Sequence, residues 1–278
     1  MKKIELGKTG EKISVVGQGT WGLQRGKSLK YYTEVKQCLH RGIELGMNHI
    51  DTAEAYGWGR AESLVGEVAK SYNRDDLFIT SKLFPVHMTC KGMKKAAYKS
   101  LENLNLKYLD LYLVHWPNPL ISVAKQMKVM EELVNEGNTR YIGVSNFSVN
   151  RIEAAQKALR NVELVNNQVR CNVLNQHHIR ESLPYLRENG ITLTAYSPLG
   201  HKGFRNVKGR LRESLELIAH NHKATIQQIA LAWLINIDNV ITIPKAFQIK
   251  HVEVNALAAD IVLSSEEMDL LADNSIPG

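Results

Sequence analysis

The chain is short of cysteine, of long apolar runs and of linker-like sequence, and each shortage removes a class of protein. Three cysteines, Cys38, Cys90 and Cys171, are spread over 278 residues. Odd in number and without a CxxC pair, they suggest neither a disulfide framework nor a cysteine metal site, and they favour a reducing cytosol. No apolar run approaches the ~18 residues needed to cross a bilayer. The opening MKKIELGKTGEKI is basic but lacks the apolar core of a secretion signal, so a cytoplasmic protein without a membrane partner is expected. There is no low-complexity tract, and no repeat of sequence. His177 and His178 are adjacent, and adjacent residues diverge on a helix. With no HExxH-like spacing anywhere, no metal is expected.

Two phosphate-loop patterns also fall short. GQGTWG, from Gly17 to Gly22, fits GxGxxG, but Gln24 to Lys27 intervene where a helix should open at once. GLQRGKS, from Gly22, is one spacer residue short of a P-loop, which would misplace the backbone cradle. The net charge of +7 admits nucleic acid, membrane or a small anion as partner. KGMKKAAYK, from Lys91, has helical spacing and reads as a solvated helix face. HKGFRNVKGRLR, from His201, is loop-like and follows a strand, where phosphates would suit it. A small-molecule partner, with no nucleic acid, is expected.

What the chain does have is alternation. Ile4–Gly10 and Glu11–Val16 read as a hairpin. Eight apolar strand candidates follow: SVVGQG, NHIDT, LFITSKL, LDLYLVH, YIGVSNF, ELVNNQV, ITLTAYS and VITIP. Most are rich in Val, Ile and Leu without strict alternation, as strands buried on both faces are. Amphipathic helix patterns separate them, at Tyr31–Leu45, Ala61–Lys70, Cys90–Leu104, Ala124–Glu136, Val149–Leu159 and Gln176–Glu188. Further helices are expected at Arg212–His222, at Thr225–Ile237, where Gln228 completes a capping box, and in LSSEEMDLLADN. The expected fold is an α/β (β/α)8 TIM barrel, one domain over residues 1–278, with an N-terminal hairpin and extra helices after the seventh strand and at the C-terminus.

Asp51, Lys82 and His115 close three successive strand candidates, and Tyr56 lies in the loop after Asp51. Each alone has an ordinary structural explanation, such as a core ion pair or a satisfied core histidine. Together, at the barrel face where catalysis occurs, they read as one site. The motifs GTWG, HIDTAEAYG, ITSKL, LVHWP, IGVSNF, NNQV, AYSPLG and IPK occur in this order, and through them the chain resembles the aldo-keto reductases from Ser14 to Asn255. The resemblance implies a nicotinamide-dependent carbonyl reductase with Tyr56 as acid and Asp51, Lys82 and His115 in support. The chemistry agrees. Hydride delivered to a carbonyl carbon leaves charge on oxygen, and a phenol of pKa about 10 is too weak an acid to help unaided. A Lys82 cation should favour the phenolate, Asp51 should keep Lys82 charged, and His115 should orient the carbonyl.

The resemblance further implies cofactor contacts from Gly19, Thr20, Trp21 and Asp51. Ser145, Asn146 and Gln168 would hold the nicotinamide carboxamide, Tyr196 would stack on its ring, and Ser197, Pro198, Leu199 and Gly200 would begin a loop over the pyrophosphate. At the adenosine end it implies Pro244, Lys245, Ala246, Phe247, His251 and Asn255. Here the chain departs from the family, with Ala246, His251 and Val254 where Ser, Arg and Glu are usual. Lys245, Lys250 and a protonatable His251 still favour NADP, with NAD as the alternative. Trp21, Trp58 and Trp116 lie in loops beyond strand ends and, with Tyr56 and His115, would wall a substrate pocket; Trp233 reads as core. The short PNPLIS loop and short C-terminus suit small aldehydes, ketoaldehydes or keto sugars, and a monomer is the family's habit. Two other functions remain open on the same residues, a redox-sensing regulatory subunit and a Schiff-base lyase using Lys82.

Overall fold

The structure, a computed structural model, describes residues 1–200 and 207–273. It opens with an antiparallel hairpin, β1 (Lys3–Glu5) and β2 (Lys12–Ser14), with Lys3 opposite Ser14. Leu6 and Ile13 of the hairpin segment pack with Phe78, Leu111, Leu113, Val165 and Ile241 of the barrel strands, so the hairpin plugs one barrel end. Gly7 N also donates to Thr192 Oγ1 at 2.8 Å.

Eight parallel strands follow: β3 (Gln18–Gly19), β4 (His49–Asp51), β5 (Phe78–Leu83), β6 (Leu109–Val114), β7 (Thr139–Ser145), β8 (Leu164–Arg170), β9 (Thr192–Tyr196) and β10 (Val240–Thr242). Each pairs with its neighbour in sequence. Backbone bonds close the ring, from Gly17 N to Thr242 O at 2.7 Å and from Gly19 N to Pro244 O at 3.1 Å. A side chain at Gly19 would put its Cβ 2.7 Å from Ile243 O, so the seam closes only over a glycine. The expected (β/α)8 barrel is therefore the fold.

Helices α1 (Leu29–Glu44), α2 (Arg60–Ala69), α3 (Cys90–Leu104), α4 (Val123–Asn135) and α5 (Val149–Ala158) fall within two residues of their sequence patterns. The run from Gln176 to Glu188 does not form one helix. It divides into α6 (His177–Glu181) and α7 (Leu183–Glu188). Pro184 is the cause, because it lacks an N–H and its ring clashes with the preceding turn. Next come α8 (Gly209–Asn221) and α9 (Ile226–Asn236), whose Thr225–Gln228 capping box is present. Trp233 is buried in α9. The sequence reading missed α10 (Ile249–Leu257), and α11 (Ser265–Asp273) ends the described chain. β-Branched Ile249, Val252 and Val254 and an uncapped start argue against α10 locally. Burial of Val252, Asn255 and Ala256 decides it instead. The basic face on α3 is exposed as expected, with Lys94 paired to Glu132 and Glu136. No described helix is long and apolar enough to cross a membrane.

The barrel interior below the site is partly polar. His49, buried on β4, has Nε2 3.0 Å from Thr80 Oγ1. Burial chiefly drives its pKa from 6.5 down to about 4, with Asp51 raising it and Lys82 lowering it. Between those two values the unfolded chain takes up a proton that the folded chain refuses, so stability must fall as pH drops through that window. The slope is about 1.4 kcal/mol per pH unit, or on the order of 2 kcal/mol from pH 6.5 to 5. Urea unfolding at pH 7 and pH 5 should therefore show a smaller acid loss for His49→Gln than for the parent. Equal losses would mean that His49 is not held neutral.

Candidate active site

Parallel pairing places the ends of β4 to β9 side by side, and the residues singled out in the sequence gather there. Asp51 ends β4, and its Cα is in register with Thr80, two residues before Lys82. Lys82 is 0% exposed and Asp51 2%. Lys82 Nζ donates to Asp51 Oδ1 at 2.5 Å, to Thr52 O at 2.9 Å and to Tyr56 Oη at 3.4 Å. The other Asp51 oxygen accepts from Gln168 Nε2 at 2.7 Å. A buried carboxylate and a buried ammonium thus satisfy one another, with further donors and acceptors meeting the rest of their capacity.

Burial alone would discharge Lys82, but Asp51 and Tyr56 outweigh it and raise the ammonium above its ordinary value. For Tyr56 the balance runs the other way. Burial raises the phenol and Lys82 only partly offsets it, so the net shift is upward. The expected pull of Lys82 toward the phenolate is present, but burial exceeds it, so the buried phenol stays protonated. His115 follows β6 directly, with its ring edge-on to Tyr56 at 5.7 Å between centroids. Burial and then Lys82 lower its pKa to about 3, which makes it a neutral imidazole. Its Nδ1 is buried with no partner among the described residues.

At the ends of β7 to β9 the polar side chains interlock. Ser145 Oγ donates to Gln168 O at 2.8 Å, and Asn146 Nδ2 donates to Ser145 Oγ at 2.9 Å and to His115 O at 3.3 Å. Tyr196 Oη donates to Asn146 Oδ1 at 3.0 Å. Asn146 has φ of 62° and Ser197 of 50°, backbone that non-glycine residues seldom adopt. Such strain persists where the surroundings dictate it, here at the ends of β7 and β9. Thr20 is committed to Asp51, whose backbone oxygen accepts from both its N–H and its Oγ1. Pro198 is buried, and Gly200 N closes a turn on Ser197 O, with Leu199 between them half-buried. Of the basic run that follows, His201 to Asn206 lie outside the described residues, and Arg212 is paired with Glu216.

Beyond β10 the backbone carries Pro244 to Phe247 past the seam. Lys245 is exposed, with Nζ 4.9 Å from the centre of the Phe247 ring. Ala246 is half-buried, His251 exposed, and Asn255 buried. Trp21, Trp58 and Trp116 are exposed around the mouth, Trp58 at 80%. Trp58 has φ of 55° between two left-handed glycines. The sequence reading overlooked Thr52, whose contribution is a backbone oxygen, and Glu54, whose partner is a backbone N–H some 30 residues away. Neither leaves a mark in sequence spacing. Among the described residues no group of His, Cys, Asp and Glu could hold a metal.

The donor set suits a nicotinamide dinucleotide. Gln168 spends its amide N–H on Asp51, so its oxygen is the end available to a carboxamide, and Tyr196 offers a half-buried ring beside it. Comparison with known proteins agrees. The chain is 36% identical over 266 residues to methylglyoxal reductase YeaE of Escherichia coli, covering 95% of this chain and 92% of that one. It superposes with a TM-score of 0.93 on the thermostable aldo-keto reductase Tm1743 in complex with epalrestat, at 41% identity over 98% of this chain and 99% of the other. An aldo/keto reductase of Klebsiella pneumoniae, in complex with NADP and acetate, matches with a TM-score of 0.87 and 33% identity, covering 98% and 94% of the two chains. The model of the aldo/keto reductase family matches residues 15–275, and the chain belongs to that family.

Proposed function

We propose that this enzyme reduces small aldehydes and ketones to alcohols with NADPH, using Tyr56 as the general acid. The observation that carries the reading is the buried series Asp51–Lys82–Tyr56, with contacts of 2.5 and 3.4 Å, opening on a barrel mouth. Bound NADPH supplies the hydride. Tyr56 holds the proton that the substrate oxygen needs; burial raises its pKa, and Lys82 beside it pulls the other way, toward release of that proton as charge develops. Lys82, charged because of Asp51, then stabilises the phenolate as it forms. Neutral His115 carries one ring N–H. With Nδ1 buried, Nε2–H is the donor a carbonyl oxygen would meet. The same state of Lys82 counts against a Schiff-base lyase. A nucleophilic amine must be unprotonated, and this one is held as an ammonium by a carboxylate.

Ser145, Asn146, Gln168 and Tyr196 would bind and orient the nicotinamide, and Gly19 to Trp21 with Ser197 to Gly200 would line the rest of its path. The exposed tryptophans leave the mouth open, which suits small substrates; the naming of a relative as a methylglyoxal reductase makes 2-oxoaldehydes the first to try. A monomer acting in the cytoplasm completes the proposal, in keeping with the free state of Cys38, Cys90 and Cys171. Loss of absorbance at the nicotinamide band, with NADPH or NADH against a panel of aldehydes, tests the whole reading. Absence of turnover with every pair would reject it in favour of a regulatory role.

NADPH preference rests on Lys245. Its charge is exposed and, among the described residues, engaged with the Phe247 ring face, so a 2′-phosphate could recruit it. Lys245→Ala should weaken NADPH by about 1.5–3 kcal/mol, the range for hydrogen bonds to charged groups, and leave NADH nearly unchanged. Dissociation constants for both cofactors check this. Equal losses would place Lys245 on a part of the cofactor that the two share.

A further inference from the structure

Between Asp51 and Tyr56 lies Glu54, a carboxylate that the proposed reaction does not use. It occupies the turn that presents the phenol, where Tyr56 N donates to Ala53 O at 3.0 Å. Glu54 Oε1 accepts from the backbone N–H of Phe84 at 2.5 Å. Both of its oxygens also face His87 Nε2, at 3.1 and 3.0 Å. Phe84 is the first residue beyond β5 and stands two residues after Lys82. Its ring packs edge-on against His115 at 6.0 Å between centroids, and His115 packs edge-on against Tyr56 at 5.7 Å. A circuit therefore runs from the Tyr56 turn through Glu54 to Phe84, on to His115, and back to Tyr56.

Among the described residues the hydroxyl of Tyr56 has one hydrogen bond, a long one of 3.4 Å to Lys82, which by itself fixes the ring weakly. The inner strap, Lys82 Nζ on Thr52 O at 2.9 Å, holds the start of the turn but not its tip. The bond from Phe84 N–H to Glu54 is charge-assisted and joins the turn to the strand that carries Lys82. We propose that Glu54 is a positioning residue that sets Tyr56 against Lys82 and His115 by tying its turn to the end of β5. The inference rests on the reading of Tyr56 as the acid. Glu54 touches neither the hydroxyl nor the mouth residues assigned to the cofactor, so its effect should fall on turnover rather than on cofactor binding. Displacements of about 1 Å around a reacting group can cost on the order of 10²-fold in rate.

The test compares Glu54→Ala, Glu54→Asp and Glu54→Gln with the parent, each first checked for a folded thermal transition. Turnover is measured at saturating NADPH, in H2O and in D2O, beside a Tyr56→Phe control. Glu54→Ala should lower kcat by about 10–10²-fold, with the NADPH dissociation constant nearly unchanged and a larger solvent isotope effect. Glu54→Gln should recover most of the loss, because an amide oxygen still accepts from Phe84 N–H. Glu54→Asp keeps the charge but is one methylene too short to reach, so it should resemble Glu54→Ala and serves if the alanine variant does not fold. A folded Glu54→Ala or Glu54→Asp with parental kcat overturns the proposal, as does a loss that falls on cofactor affinity instead. If Tyr56→Phe stays active, the reading of the acid fails. If Tyr56→Phe is inactive and the Glu54 variants turn over normally, only the positioning role fails.

Discussion

Tyr56→Phe is expected to lower carbonyl turnover by about 10²–10⁴-fold, the usual scale for a positioned general acid. The NADPH dissociation constant should hardly move. On the proposed reading the phenol proton enters only as charge develops on the substrate oxygen, so it would contribute to the transition state and not to binding. Removing one oxygen also spares the surroundings. Lys82 keeps its bonds to Asp51 and Thr52, and the ring still meets His115 edge-on. Single-turnover rates with prebound NADPH separate the two effects. Parental turnover in a folded Tyr56→Phe would assign the proton to another group, with the Lys82 ammonium and His115 the neighbouring candidates. The pKa of His115, near 3, leaves it neutral, and so a donor of a hydrogen bond rather than of a full proton.

The parts of this molecule that the sequence makes legible are those fixed by period and by strand ends. Asp51, Lys82 and His115 could be placed because each closes a run of buried residues, and parallel pairing then fixes which ends are neighbours. The site's electrostatics were less legible. The cation beside Tyr56 was foreseen, but the burial that outweighs it depends on the whole mouth and cannot be read from spacing. Contacts made through backbone atoms were invisible for a related reason. Thr52 O and Phe84 N–H would be there whatever side chains stood at those positions, so residue identity carries no trace of them. The adenosine end shows the opposite limit. His251 and Asn255 could be named from the resemblance, yet the helix that carries them, α10, is held by tertiary burial against a poor local propensity.

Lys82→Met should be the most damaging change in the site, because it harms the reaction and the fold by one cause. The ammonium is fully buried and supplies three bonds, to Asp51, Thr52 O and Tyr56. Without it a phenolate at Tyr56 would lose the Lys82 counter-charge, and among the described residues the Asp51 carboxylate keeps Gln168 Nε2 as its one hydrogen-bond partner. Breaking a buried pair in this way costs about 3–5 kcal/mol of stability. Asp51→Asn should be milder. Burial then favours a neutral Lys82 amine, which weakens its pull on Tyr56. That amine still bonds to the new amide oxygen, to Thr52 O and to Tyr56, and the Gln168 amide can turn to meet the new N–H, so no charge is left buried without a partner. The double variant Asp51→Asn/Lys82→Met separates the two consequences. It buries no net charge, so it should regain much of the stability lost in Lys82→Met, while turnover stays lost because the cation is still missing. Urea unfolding and steady-state turnover on the three proteins measure both. If Asp51→Asn, folded, turns over more slowly than Lys82→Met, then Asp51 rather than Lys82 is the group that tunes Tyr56. If the double variant is no more stable than Lys82→Met, the stranded carboxylate is not what destabilises it.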